Sequence, residues 1–141
     1  MQYNELIQLY FERSNALQSY WTLYVVVIGG VLAFASLRLR PDLLTTLLVS
    51  VLFACFALKN LGGIHDVTLQ RYAVLDAIQK MPAESAPIRT ALDPTLQVPA
   101  YAGVRNFHFI CDLLTILTLW AMELRRRRYA RLDSPKPAAG L

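Results

Sequence analysis

Three long apolar stretches separate the polar parts of this chain. No charged residue stands between Arg13 and Arg38, and residues 43–58 are also uncharged. A third stretch, 104–124, includes Asp112 but is uncharged over residues 113–122. A helix needs about 20 apolar residues to cross about 30 Å of hydrocarbon. The pattern therefore predicts three transmembrane helices, at residues 18–37, 43–61 and 104–124.

The segment before the first span is itself amphipathic. Its polar residues recur at helical spacing of three and four positions, at Glu5, Gln8, Glu12, Asn15 and Ser19. We expect one continuous helix from this segment into the first span. The alternative is a segment that lies flat on the bilayer, with a bend near residues 14–15.

A second amphipathic segment follows the second span. Gly62 and Gly63 predict a helix break, and residues 64–80 then predict a separate outer helix that ends before Pro82. The fold class is therefore an all-α integral membrane protein with three transmembrane helices and a small extracytoplasmic helical cap. Residues 1–132 form a single membrane domain, and residues 133–141 are expected to be a disordered cytoplasmic tail.

Composition agrees with this class and excludes several others. The chain is 55% hydrophobic and 17% charged, with a mean hydropathy of +0.37. Soluble domains are about 45–50% apolar and about 25% charged, so a soluble enzyme or a disordered chain is a poor fit. No nucleotide-binding loop, zinc-protease motif, nucleophile elbow or Cys-x-x-Cys pair is present, and no cofactor is predicted.

The distribution of basic residues predicts an orientation. Residues 38–42 and 123–141 would lie on one side and hold 8 Lys and Arg in 24 positions, against 5 in the 62 positions of residues 1–17 and 59–103. Basic residues favour the cytoplasmic side. We therefore expect a multi-pass protein of the plasma (inner) membrane with its N-terminus outside and its C-terminus in the cytoplasm.

One polar cluster lies within the third span. Arg105, His108 and Asp112 are three and four residues apart and share one helix face. An acidic residue at this depth is costly and is expected to have a partner, for which Lys59 of the second span is a candidate. The cluster is either a structural clamp between helices or a site for a ligand, an ion or a proton relay.

Metal binding is a further hypothesis. Two histidines and two cysteines fall near the same predicted depth, His65, His108, Cys55 and Cys111. These residue types ligate copper, zinc or haem iron. Their spacing follows no known ligand pattern, so no metal site is assigned.

Two further groups suggest contacts outside the chain. Gly29, Gly30 and Ala33 form a small-residue face that allows close packing between membrane helices, within one chain or between copies. A basic run next to the third span is expected to contact lipid headgroups and to set topology, without nucleic acid. Its members are Arg125, Arg126, Arg127, Arg128 and Arg131.

Function is less determined than fold. The sequence favours a non-enzymatic accessory or scaffold subunit of a membrane assembly, with membrane lipid and either further copies or other membrane proteins as partners. The alternatives are a small channel, transporter or proton-conducting oligomer that uses Asp112 and His108, and a metal- or haem-binding membrane protein.

Overall fold

The structure is a computed structural model that describes residues 2–81 and 90–132 of the chain. Three long helices account for most of it: α1 spans Tyr3–Leu37, α2 spans Leu43–Gln79 and α3 spans Tyr101–Leu132. A 3₁₀ turn at Asp93–Thr95 precedes α3. The all-α fold class is confirmed. The segment predicted as a disordered tail, 133–141, lies outside the described residues.

Each of the three helices is long and apolar enough to cross a membrane. They contain 35, 37 and 32 residues, or about 50 Å of helix each at about 1.5 Å per residue. Because a hydrocarbon core is about 30 Å thick, every helix extends well beyond one predicted span. This agrees with a multi-pass membrane protein.

The two ends of the bundle differ in composition. At the basic end, residues 38–42 connect α1 to α2, and α3 finishes with its arginine run. At the other end, called the distal end here, the start of α1 and the last turns of α2 meet residues 90–100. A buried apolar cluster joins these three segments and consists of Leu6, Tyr10, Val74, Ile78 and Leu96.

The continuous N-terminal helix is confirmed, because α1 runs from Tyr3 to Leu37 without interruption. The Glu5 carboxylate accepts a hydrogen bond from the backbone N–H of Gln2 at 2.7 Å, which caps the first turn. The exposed polar stripe and the buried Leu6 and Tyr10 then follow from the helical spacing of the sequence.

The predicted break at Gly62 and Gly63 is wrong. Helix α2 continues through both residues to Gln79, so the predicted outer helix at 64–80 is its C-terminal half. A glycine inside a helix costs about 1 kcal/mol relative to alanine, which tertiary packing can offset. At Gly63 the reason for glycine is close approach, because a Cβ there would lie 2.5 Å from Cε1 of Tyr20.

Candidate functional site

A buried polar network crosses the bundle between the three helices, and His108 and Asp112 of α3 form its centre. These residues are four apart, so their side chains stack on one helix face. The Nδ1–H of His108 donates to Oδ2 of Asp112 at 2.9 Å. His108 is 0% exposed, whereas the Asp112 side chain retains 15% of its exposure. The contact that the helical spacing predicts between these two side chains is therefore present.

Each of the other helices adds one polar side chain to this network. From α1, the Tyr24 hydroxyl donates to Oδ1 of Asp112 at 2.7 Å. From α2, the Asn60 Nδ2–H donates to Nε2 of His108 at 3.3 Å when that nitrogen carries no proton. Both carboxylate oxygens and both ring nitrogens therefore have partners, and all three helices are joined by hydrogen bonds.

Aromatic rings enclose the imidazole. Tyr24 stacks on His108 with centroids 4.0 Å apart and an angle of 29° between the planes. The Trp21 ring lies 5.9 Å from the same imidazole. The side-chain oxygen of Asn60 is buried without a hydrogen-bond partner. The site is consequently closed around His108. Of the four side chains that form the network, only that of Asp112 is partly accessible.

The structure does not bring two predicted members into this network. Lys59 is exposed, and the predicted Lys59–Asp112 pair is wrong, because Asp112 contacts Tyr24 and His108 instead. Lys59 and Asn60 are adjacent, about 100° apart around the helix axis, so when Asn60 faces the bundle Lys59 faces outward. Arg105 is also exposed, one turn from His108.

The weak metal candidates are scattered. Cys55 is exposed and Cys111 is half-buried, and both are free thiols. His65 lies at the distal end, where its Nδ1 is 3.7 Å from Asp66 and its ring is 4.6 Å from Tyr101. Within the described ranges, no three His, Cys, Asp or Glu side chains are grouped to hold a metal ion.

A second buried network, at the basic end, was not predicted from the sequence. Its centre is Glu123 of α3, whose side chain is 1% exposed. The Arg127 Nε–H donates to Oε1 at 2.9 Å, and an Nη1–H of Arg126 donates to Oε2 at 3.2 Å. The Thr46 hydroxyl of α2 lies 3.3 Å from Oε2, and the guanidinium of Arg38 is 4.0 Å away.

This network also joins all three helices. Arg126 donates to the carbonyl of Ala35 near the end of α1, and Arg38 donates to the Thr46 hydroxyl at 3.0 Å and to the carbonyl of Asp42 at 2.9 Å. The sequence does contain a signal for the contacts within α3, because Glu123 has arginines at i+3 and i+4, the spacing at which side chains meet on a helix surface.

At the basic end, Asp42 is the N-cap of α2. Its carboxylate accepts from the Thr45 hydroxyl at 2.5 Å and from the Thr45 backbone N–H at 3.2 Å. These hydrogen bonds favour the ionised form and therefore hold the pKa of the Asp42 carboxyl below its ordinary value. The bond from the Thr45 hydroxyl has the larger effect, and the bond from the Thr45 backbone N–H comes next. The cap fixes where α2 begins.

The arginine run therefore divides into two groups. Arg126 and Arg127 point inward to Glu123, so their assignment to lipid headgroups alone is incomplete. Arg125, Arg128 and Arg131 are exposed.

The small-residue face of α1 has no partner within the described part of the chain. Gly29, Gly30 and Ala33 are all exposed. A Cβ placed at Gly29 or at Gly30 would meet no atom within 4 Å. Packing of this face against another helix of the same chain, one of the two expectations, is therefore not observed.

No protein-family model, curated protein or solved structure matches this chain.

Proposed function

We propose that this chain is a small non-enzymatic membrane protein that serves as an accessory or scaffold subunit of a membrane assembly. The closure of the intramembrane network carries the proposal. His108 is fully buried and both its ring nitrogens have partners within the chain. A substrate or ion would have to displace Tyr24 or Asn60 to reach the imidazole. A network of this kind stabilises one arrangement of the helices.

The face formed by Gly29, Gly30 and Ala33 supports the assembly part of the proposal. Membrane helices approach closely where small residues face each other, and here these residues are exposed. Gly30 also lines an apolar groove of ≈ 430 Å³ between α1 and α2, whose walls include Phe34 and Phe56. The partner is a further copy or another membrane protein that presents a helix of matching shape.

Proton conduction is the second candidate function, and one observation favours it. Asp112 retains 15% side-chain exposure and contacts His108, so it offers a route for a proton into the network. The unpartnered carbonyl oxygen of Asn60 could accept a hydrogen bond from Nε2 of His108 after an amide rotation. Conduction by this route would need the network to open toward both sides of the membrane.

Reconstitution in vesicles separates the two candidates. The full chain is inserted into vesicles that contain a pH-sensitive dye, and a proton gradient is imposed. If the chain is a scaffold, the gradient should decay as it does in empty vesicles. A faster decay that disappears with Asp112→Asn would overturn the scaffold proposal in favour of conduction, because an amide cannot exchange a proton in the same way.

Assembly is tested by crosslinking the full chain in mild detergent. Gly29→Leu adds a branched side chain to the exposed face, and we expect the oligomer, or the complex with other subunits, to be lost while membrane insertion persists. Gly62→Leu is the matched control, because Gly62 is also exposed and a Cβ placed there would meet no atom within 4 Å. An assembly that survives Gly29→Leu would contradict this face as the contact.

The proposed orientation puts the basic end in the cytoplasm and the distal end outside the plasma (inner) membrane. It rests on the excess of Lys and Arg in residues 38–42 and 123–141. The distal end, in which α1 and α2 pack together with Leu96, would then be the extracytoplasmic cap.

A further inference from the structure

Two of the three exposed arginines of the run, Arg125 and Arg128, line a groove of their own. This groove, of ≈ 440 Å³, lies along the last three turns of α3 on the side away from Glu123. Its lining residues are Ala121, Leu124, Arg125, Arg128, Tyr129 and Leu132. We refer to it as the Arg125–Arg128 groove.

Both arginines of the groove lack an acidic partner in the part of the chain that the structure describes. The nearest acid along α3, Glu123, already accepts from Arg126 and Arg127. Arg125 instead lies over the Tyr129 ring, with its guanidinium carbon 5.6 Å from the ring centroid. Two cationic groups one turn apart are thus left for a ligand.

The rest of the lining is apolar or aromatic. Leu124 and Leu132 are 58% and 78% exposed, and Tyr129 is 55% exposed. The groove therefore combines paired guanidinium groups with apolar surface, at the point where an apolar helix ends. Guanidinium groups bind phosphate through two parallel hydrogen bonds, and tyrosine is enriched at the level of lipid headgroups.

We propose that the Arg125–Arg128 groove binds the headgroup of an anionic phospholipid, with the phosphate between Arg125 and Arg128 and the start of an acyl chain along Leu124. Charge complementarity selects an anionic lipid over a zwitterionic one. The apolar wall distinguishes a lipid from free phosphate, which would gain nothing from Leu124 or Leu132. This inference does not depend on the proposed scaffold function.

The test measures lipid binding to the full chain in neutral detergent by native mass spectrometry. We compare phosphatidylglycerol with phosphatidylcholine of the same acyl chains, and inorganic phosphate is added in a separate series. Each basic residue near an anionic surface adds to its attraction, so Arg125→Gln with Arg128→Gln should weaken phosphatidylglycerol binding by at least about tenfold. Phosphatidylcholine binding should change little.

The matched control removes two charges from the same end without touching the groove. Arg40→Gln with Arg131→Gln does this, since both residues are exposed and neither lines the groove. An equal loss in the control would show diffuse attraction and overturn the site. Displacement of phosphatidylglycerol by millimolar inorganic phosphate would assign the site to phosphate and also overturn the proposal.

Folding is monitored separately by far-UV circular dichroism. Neither Arg125 nor Arg128 contacts Glu123, so the variant should unfold at the same denaturant concentration as the native chain in phosphatidylcholine. If the double substitution unfolds the chain, the single change Arg128→Gln replaces it. Unchanged phosphatidylglycerol binding in a folded Arg128→Gln variant would refute the proposal.

Discussion

The hydrogen bond between Tyr24 and Asp112 allows a sharp test of the intramembrane network. Tyr24→Phe removes only the hydroxyl, which donates to Oδ1 of Asp112 at 2.7 Å. The ring that stacks on His108 is kept, so no cavity forms. Because Tyr24 is 2% exposed, water cannot easily replace the lost donor. The change therefore removes the hydrogen bonding of this one hydroxyl to α3, which goes to Asp112 and, at 3.3 Å, to the His108 backbone carbonyl.

Two sets of measurements indicate how much stability Tyr24→Phe should lose. A hydrogen bond to a charged group contributes about 1.5–3 kcal/mol in soluble proteins, but interhelical hydrogen bonds in membranes average about 0.6 and reach about 1.7 kcal/mol. Tyr24 and Asp112 lie within predicted spans, so the membrane scale applies. We expect Tyr24→Phe to lower the free energy of unfolding by about 1–1.7 kcal/mol, at the upper end of that scale.

Asp112→Leu should cost more, because it removes the acceptor of the His108 Nδ1–H and leaves the Tyr24 hydroxyl only the His108 backbone carbonyl, 3.3 Å away. Each buried donor that lacks an acceptor costs about 1–3 kcal/mol. In the double variant Tyr24→Phe with Asp112→Leu, one of these donors is gone. Its loss of stability should therefore fall short of the sum of the two single losses by about 1–2 kcal/mol.

The assay is unfolding of the full chain by sodium dodecyl sulfate in mixed micelles, followed by circular dichroism. Tyr20→Phe is the control, because it makes the same chemical change one turn earlier on α1. The Tyr20 hydroxyl has no hydrogen bond within the described residues, so this variant should match the native chain. Strict additivity of Tyr24→Phe and Asp112→Leu would refute the coupling.

Two further predictions concern the Glu123 network and the orientation of the chain. Glu123→Gln keeps the shape of the side chain but removes the charge that holds Arg127. It should lower the free energy of unfolding in the same assay by about 1–3 kcal/mol, whereas the control Glu12→Gln, on the exposed face of α1, should have no effect. A reporter that fluoresces only in the cytoplasm should be bright after Leu141 and dark at Ala86, and the reverse pattern would invert the proposed orientation.

Local features of this protein were predictable from its sequence. Each helix follows from the length of an apolar stretch. The continuous start of α1 follows from residues 1–17, in which polar residues have helical spacing and no glycine or proline occurs. The contact between His108 and Asp112 was predictable for the same reason. Both residues belong to one helix, and the spacing of four positions by itself places their side chains together.

Contacts between helices were not predictable, as the contribution of α2 to the His108 network shows. Whether Lys59 or Asn60 joins this network depends on the rotation of α2 about its axis, and adjacent residues differ by about 100°. In a soluble helix the apolar stripe would reveal that rotation. In a membrane helix the lipid-facing side and the packed side are both apolar, so the pattern carries little information about which residue faces inward.

Tertiary packing also decided whether α2 continues past its glycine pair. The residues themselves favour a break, but Gly63 lies against the Tyr20 ring where a side chain would collide. The burial of Glu123 has the same origin, since Arg38 and Thr46 approach it only when α1 and α2 are in place. The sequence thus determined which helices form and which residues share a face. Only the packed bundle decided which faces meet, because that choice rests on contacts between residues distant in the chain.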